Sequence, residues 1–179
     1  MNDHQRVEDT DPQRDRAVAA VREVRKELAR IDCASFVEFV LRTEKGRRPI
    51  TLTPMHREWH RMADEHDRVV IWAHIGSGKT LMLITARTLW ELGRDPELRI
   101  GIVSETASKA KKLARPMKAY IEGSRELREV FPALRKSLRD GMPWTQSELT
   151  VDRPSSAKDA SITIVSALRP TIASARLDR

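Results

Sequence analysis

The stretch Ala73-His74-Ile75-Gly76-Ser77-Gly78-Lys79-Thr80 carries residue types that can grip phosphate. It follows the apolar run Val69-Val70-Ile71-Trp72 and ends in Gly-Lys-Thr. A phosphate-binding loop reads G-x-x-x-x-G-K-[ST] between a strand and a helix, and here Ala73 stands at the first position. The chemistry explains the types. Successive backbone N–H groups must turn inward on phosphate oxygens, through conformations that glycine adopts most easily. The following helix adds its free N–H groups and the positive end of its dipole. Lys79 is the expected catalytic residue, reaching the β- and γ-phosphates, and the Thr80 hydroxyl is the expected Mg²⁺ ligand. ATP and Mg²⁺ are the cofactors this reading implies, with Ala73, His74, Ile75, Gly76, Ser77, Gly78, Lys79 and Thr80 as the binding set. The competing reading is an ordinary turn that holds Gly and Lys by chance. The position of the match, where an apolar run hands over to a helical pattern, argues against chance.

Hydrolysis needs a second part: an apolar strand ending in two carboxylates, one on the Mg²⁺ shell and one activating water. "GIVSE" comes nearest, but Ser104 stands where the first acid is expected, before Glu105. "SITIVSALRP" ends without an acid. The chain has a cradle and no convincing acid pair.

The elements that must position the loop follow from periodicity. Residues 1–15 are polar and are expected to be disordered. Ala17, Val21, Val24, Leu28 and Ile31 recur at helical spacing, so a helix is expected from Arg16 to Ile31. A second is expected over Ala34–Arg42, then a basic turn at 43–49, then a helix opened by Pro54. Arg68–Ala73 reads as a buried strand, Lys79–Leu92 as a helix apolar nearly all round, and Leu98–Ser104 as another buried strand. Thr106 or Ser108 can cap the next helix, in which Pro116 should cause a kink or break. A short helix near Arg125–Val130 and strands over Glu148–Arg153 and Ser161–Ala167 complete the pattern. Trp59, Trp72 and Trp90 are expected in the core, and Trp144 partly exposed. Strand, glycine turn, helix, strand, helix is the grammar of an α/β fold. The expected architecture is a mostly parallel sheet flanked by helices, of P-loop NTPase type. A helical lead-in at 16–50 precedes the ATPase domain at 51–179.

The chain has 179 residues, enough for one domain with a real core. Its net charge of +7 favours a polyanionic partner. Cys33 is the only cysteine, which suits a reducing compartment. The polar start is unlike a signal peptide, and no apolar run reaches the length of a spanning helix. The expected location is cytoplasmic, neither secreted nor in a membrane. His56 and His60 stand four apart on a helix, a spacing that can hold a metal, but Glu58 lies at the wrong position for a zinc-protease helix. The cations from Lys109 to Lys118 form either a solvated helix face or a contact for DNA phosphates.

Four segments together resemble the large terminase subunit of tailed bacteriophages, the ATPase of the DNA-packaging motor. They are "ASFVEFVLRTEKGRRPITLTPMHREWHRM", "RVVIWAHIGSGKT", "RIGIVSETASKAKKLARPMKAYIE" and "WTQSELTVDRPSSAKDASITIVSAL" followed by "SARLD". They cover roughly residues 34–179. The resemblance implies that His56 lies near the adenine. It also implies that the acidic pair follows Arg176-Leu177-Asp178, so that the chain is an amino-terminal part of such an ATPase, inactive alone. By the same resemblance its partners are double-stranded DNA, a small terminase subunit, the portal and procapsid, and further copies of itself in the motor. One departure stands out. The family often has an Arg three residues before the second Gly, where this chain has Ile75. Two other readings remain open: another P-loop DNA motor of helicase type, and a nucleotide-binding module without catalysis.

Overall fold

The computed structural model describes residues 11–43, 45–167 and 178. Residues 1–10 of the expected disordered tail lie outside them, as do 168–177. Helix α1 runs Pro12–Ile31, earlier than its apolar spacing indicates, because Asp11 caps it by accepting from the Gln13 N–H and Pro12 fits the first turn. Residues 12–15 are therefore helical rather than part of a tail.

Helices α2 (Cys33–Val40) and α3 (Pro54–Glu65) follow. A π-helical turn over Thr80–Ala86 leads without a break into α4 (Arg87–Arg94). Gly93 lies inside α4 for a packing reason. A Cβ there would stand 2.1 Å from Cδ2 of Phe131. Strand β1 (Ile100–Ser104), helices α5 (Ala107–Gly123) and α6 (Arg125–Val130), and strands β2 (Glu148–Leu149) and β3 (Ile162–Ser166) complete the order. Thr106 caps α5 by accepting from the Lys109 N–H, and the helix continues through Pro116.

The fold is α/β, with a small sheet ordered β1-β3-β2. β1 and β3 are parallel, from Ile100 opposite Ile162 to Ser104 opposite Ser166, whereas β2 is antiparallel to β3. The sheet is thus mixed rather than mostly parallel. The connection 150–161 is a polar loop without a helix, so it reverses the chain instead of crossing over the sheet.

The largest departure concerns Arg68–Ala73. These residues join no strand ladder among the described residues. Ile71 and Ala73 pack on the core, while Val70 is 77% and Trp72 92% exposed. Trp72 is therefore not a core residue, unlike Trp59 and Trp90, which are buried. A strand needs a neighbour for its N–H and C=O groups, and among the described residues no strand pairs with this segment. Apolar composition alone could not reveal that.

One hydrophobic core reaches from Ala29, Phe36 and Val37 through Leu89 and Met117 to Ile162 and Ile164. The two N-terminal helices share it: the Trp90 indole N–H donates to the Ala29 carbonyl at 3.1 Å.

Candidate functional site

The loop that ends at Lys79 turns through two glycines in the left-handed region, Gly76 and Gly78, both at φ +84°. Side chains rarely adopt that backbone, which explains both glycines. A Cβ on Gly76 would meet nothing within 4 Å, so the backbone there is open to approach. The Ser77 N–H makes one long bond to the His74 carbonyl at 3.4 Å. Among the described residues, the N–H groups of Ile75, Gly76 and Gly78 find no acceptor. Three donors without an acceptor among the described residues thus stand at the start of a helical segment, where the backbone dipole favours an anion.

Lys79 folds back into the loop. Its ammonium donates to the carbonyls of Ala73 at 2.6 Å and His74 at 2.7 Å, with the Ser77 hydroxyl at 3.3 Å. The charge therefore sits inside the turn that would receive a phosphate. The Ala73 side chain is half-buried; His74, Gly76 and Thr80 are exposed, and Ile75 is 98% exposed. Ile75 brings no charge to a phosphate.

His56 is the link between the loop and α3. Its Nε2 lies 2.9 Å from the Ser77 carbonyl, and its Nδ1 lies 3.1 Å from the Thr53 hydroxyl. With Nδ1 accepting from Thr53, Nε2–H donates to Ser77, so one ring ties the helix start to the loop. Trp59 packs against the ring edge at 5.1 Å between centroids. His60, on the same helix, is buried at 1% exposure, and neither ring nitrogen has a hydrogen-bond partner among the described residues. Burial, helped by the Arg87 guanidinium, pushes its pKa down to about 4. His56 and His60 thus face different surroundings and do not converge. No group of three or more His, Cys, Asp or Glu is placed to hold a metal among the described residues.

Carboxylates stay away from the loop. Asp64 and Glu91 pair with Arg87 behind the π-helical turn. Glu105 pairs with Lys109, which holds its carboxyl below the usual range. None hydrogen-bonds or ion-pairs with residues 73–80 among the described residues.

A slot of about 420 Å³ separates the extended segment from the sheet, lined by Val69, Leu83, Ile84, Ile100, Ile102 and Val103. It runs along the edge of β1 that β3 does not use. The Ile100 N–H donates to Ser161 on the β3 side at 2.9 Å. Arg99, one residue earlier, presents its backbone to the opposite side, where its N–H donates to the Asp178 carboxylate at 3.0 Å. The Asp178 N–H returns a bond to the Arg99 carbonyl at 2.8 Å. Two further bonds from the Arg99 guanidinium hold the Asp178 carboxyl below its usual range. The periodicity of the sequence could not reveal this clip, nor the brace from Thr53 through His56; the only written sign of the latter is a His three residues after a cap-forming Thr.

The residues fit a phosphate group: free donors, an ammonium at hand, and a hydroxyl at Thr80. No protein-family model matches the chain, and no curated protein matches it either.

Proposed function

We propose that the loop from Ala73 to Thr80 binds the phosphates of ATP, and that the chain is the nucleotide-binding part of a DNA-packaging motor of the large terminase type. The observation that carries the first half is the set of unpaired N–H groups at Ile75, Gly76 and Gly78 beside the Lys79 ammonium. Such a row of neighbouring donors is what a phosphate-binding nest requires. The second half rests on the sequence resemblance.

In this reading Gly76, Ser77 and Gly78 supply backbone donors. Lys79 exchanges the carbonyls of Ala73 and His74 for phosphate oxygens. The swap requires only rotation of one flexible side chain. His56 holds the Ser77 carbonyl and fixes the loop's height above α3. Thr80 offers its hydroxyl to Mg²⁺, which would neutralise charge between the β- and γ-phosphates. The described residues supply no carboxylate to activate water, so the chain binds nucleotide without rapid turnover. The reading of a binding module without catalysis draws on the same missing carboxylate.

The test is titration of Mg-ATP into the purified chain and into Lys79→Ala, followed by calorimetry. Saturable binding in the wild type and a loss of at least about tenfold in the variant are expected, since a charge-assisted phosphate contact is worth about 1.5–3 kcal/mol. Equal affinity in the two proteins rejects the site. A second measurement, phosphate release over hours, separates nucleotide binding alone from hydrolysis.

A further inference from the structure

The outer face of α5 carries charge of one sign. From Ala107 to Tyr120 this helix carries Lys109, Lys111, Lys112, Arg115 and Lys118 and no acid. Lys109 pairs with Glu105. Lys111, Lys112 and Arg115 are exposed and form no ion pair among the described residues. On other helices several cations are neutralised by an acid within one turn: Lys26 pairs with Glu23, Arg30 with Glu27, Arg61 with Glu58 and Arg125 with Glu129. Unpaired neighbouring cations repel one another, and that cost is removed by a polyanion.

These cations line a concavity of about 760 Å³ with Lys118, Glu122 and Gln146. Glu122 is already committed, accepting from the Trp144 indole N–H at 2.6 Å. Lys118 donates to the Trp144 carbonyl at 3.1 Å. The Trp144 ring lies between two ammonium groups, Lys118 at 5.6 Å and Lys136 at 5.8 Å from its centroid. The Trp144 ring is therefore engaged by cations rather than free to stack on a base. Single-stranded sites need such stacking platforms, whereas duplex binding needs only cations spaced along the backbone. Seven residues of helix rise about 10 Å, enough for Lys111 to Lys118 to follow successive phosphates.

We propose that this face of α5 binds the phosphate backbone of double-stranded DNA without reading its sequence. The proposal rests on the motor reading above for its biological setting, though not for its physics, because no nucleotide is required.

The experiment is fluorescence anisotropy of a labelled 30-base-pair duplex of arbitrary sequence, titrated with the full chain without nucleotide at several salt concentrations. The variant Lys111→Gln/Lys112→Gln/Arg115→Gln should bind at least about tenfold more weakly, with a log–log salt slope shallower by about 2–3. A control removes equal charge elsewhere: Arg14→Gln/Arg16→Gln/Arg25→Gln on α1, all exposed. It should lose far less. Circular dichroism confirms that both variants fold. No binding by the wild type, equal losses in the two triple variants, or tighter binding of a single strand of the same length would each overturn the assignment. Lys79→Ala should keep its DNA affinity. Failure of the DNA surface with Mg-ATP binding intact, or the reverse, thus assigns the fault to one reading alone.

Discussion

Val69–Ala73 and Ile100–Ser104 are both short and apolar, and both lie directly before a turn that opens a helix. They have opposite fates. Ile100–Ser104 pairs along its length with Ile162–Ser166 and buries Ile100 and Ile102. Val69–Ala73 stays outside any ladder and turns Val70 and Trp72 to the outside. Composition decides that a segment can be a strand; a neighbour decides whether it is one. The contrast also separates a region built for rigidity from one left open, and the candidate phosphate loop belongs to the open one.

The strongest way to break this contrast is to truncate one residue in each segment. Ile102→Ala should cost about 3 kcal/mol, since it opens a cavity under the sheet. Trp72→Ala should change stability by less than about 0.5 kcal/mol despite removing a larger side chain. Urea melts of both variants measure it, and comparable losses would show that the open segment is packed after all.

His60 sharpens the comparison on the side beneath the loop, because it shares α3 with the His56 brace. Its folded pKa of about 4 lies below the ordinary 6.5. The folded protein keeps the ring neutral while the unfolded chain takes up a proton. Its contribution is therefore fully present above pH 6.5 and falls as the pH drops toward 4. The total is about 3 kcal/mol by linkage. His60→Leu should flatten this part of the stability-against-pH curve; an unchanged acid limb would show the drop to come from other groups.

A smaller cost than for Ile102 or His60 is expected in the loop. Gly78→Ala forces a Cβ onto a backbone at φ +84°, with His56 Nε2 the nearest atom at 3.6 Å. No clash arises, so the cost is the backbone strain alone, about 1–2 kcal/mol. Nucleotide affinity should fall further than stability does, as measured by calorimetry beside a melt.

Much of the architecture was legible in the sequence. The helices at Pro54, Thr106 and Arg125 are announced by a proline or by cap-forming hydroxyls, which are local signals. The 73–80 turn was equally plain, because two glycines in three residues leave few other uses. What the sequence could not convey is long-range. The direction of β2 depends on a connection without a helix, and the isolation of Val69–Ala73 on an absent neighbour. The helical residue Gly93 is set by Phe131, far along the chain. The engagement of Lys79 with Ala73 and His74 is a conformational choice that no spacing encodes.

Trp72 lies seven residues before Lys79 and is 92% exposed, whereas Trp59 and Trp90 are almost wholly enclosed. The open segment thus carries a natural optical probe. A dissolved quencher such as iodide reaches this indole and spares those two, so once the half-buried Trp144 is replaced by Phe, events at the nearby turn can be followed by light emission without attaching a dye.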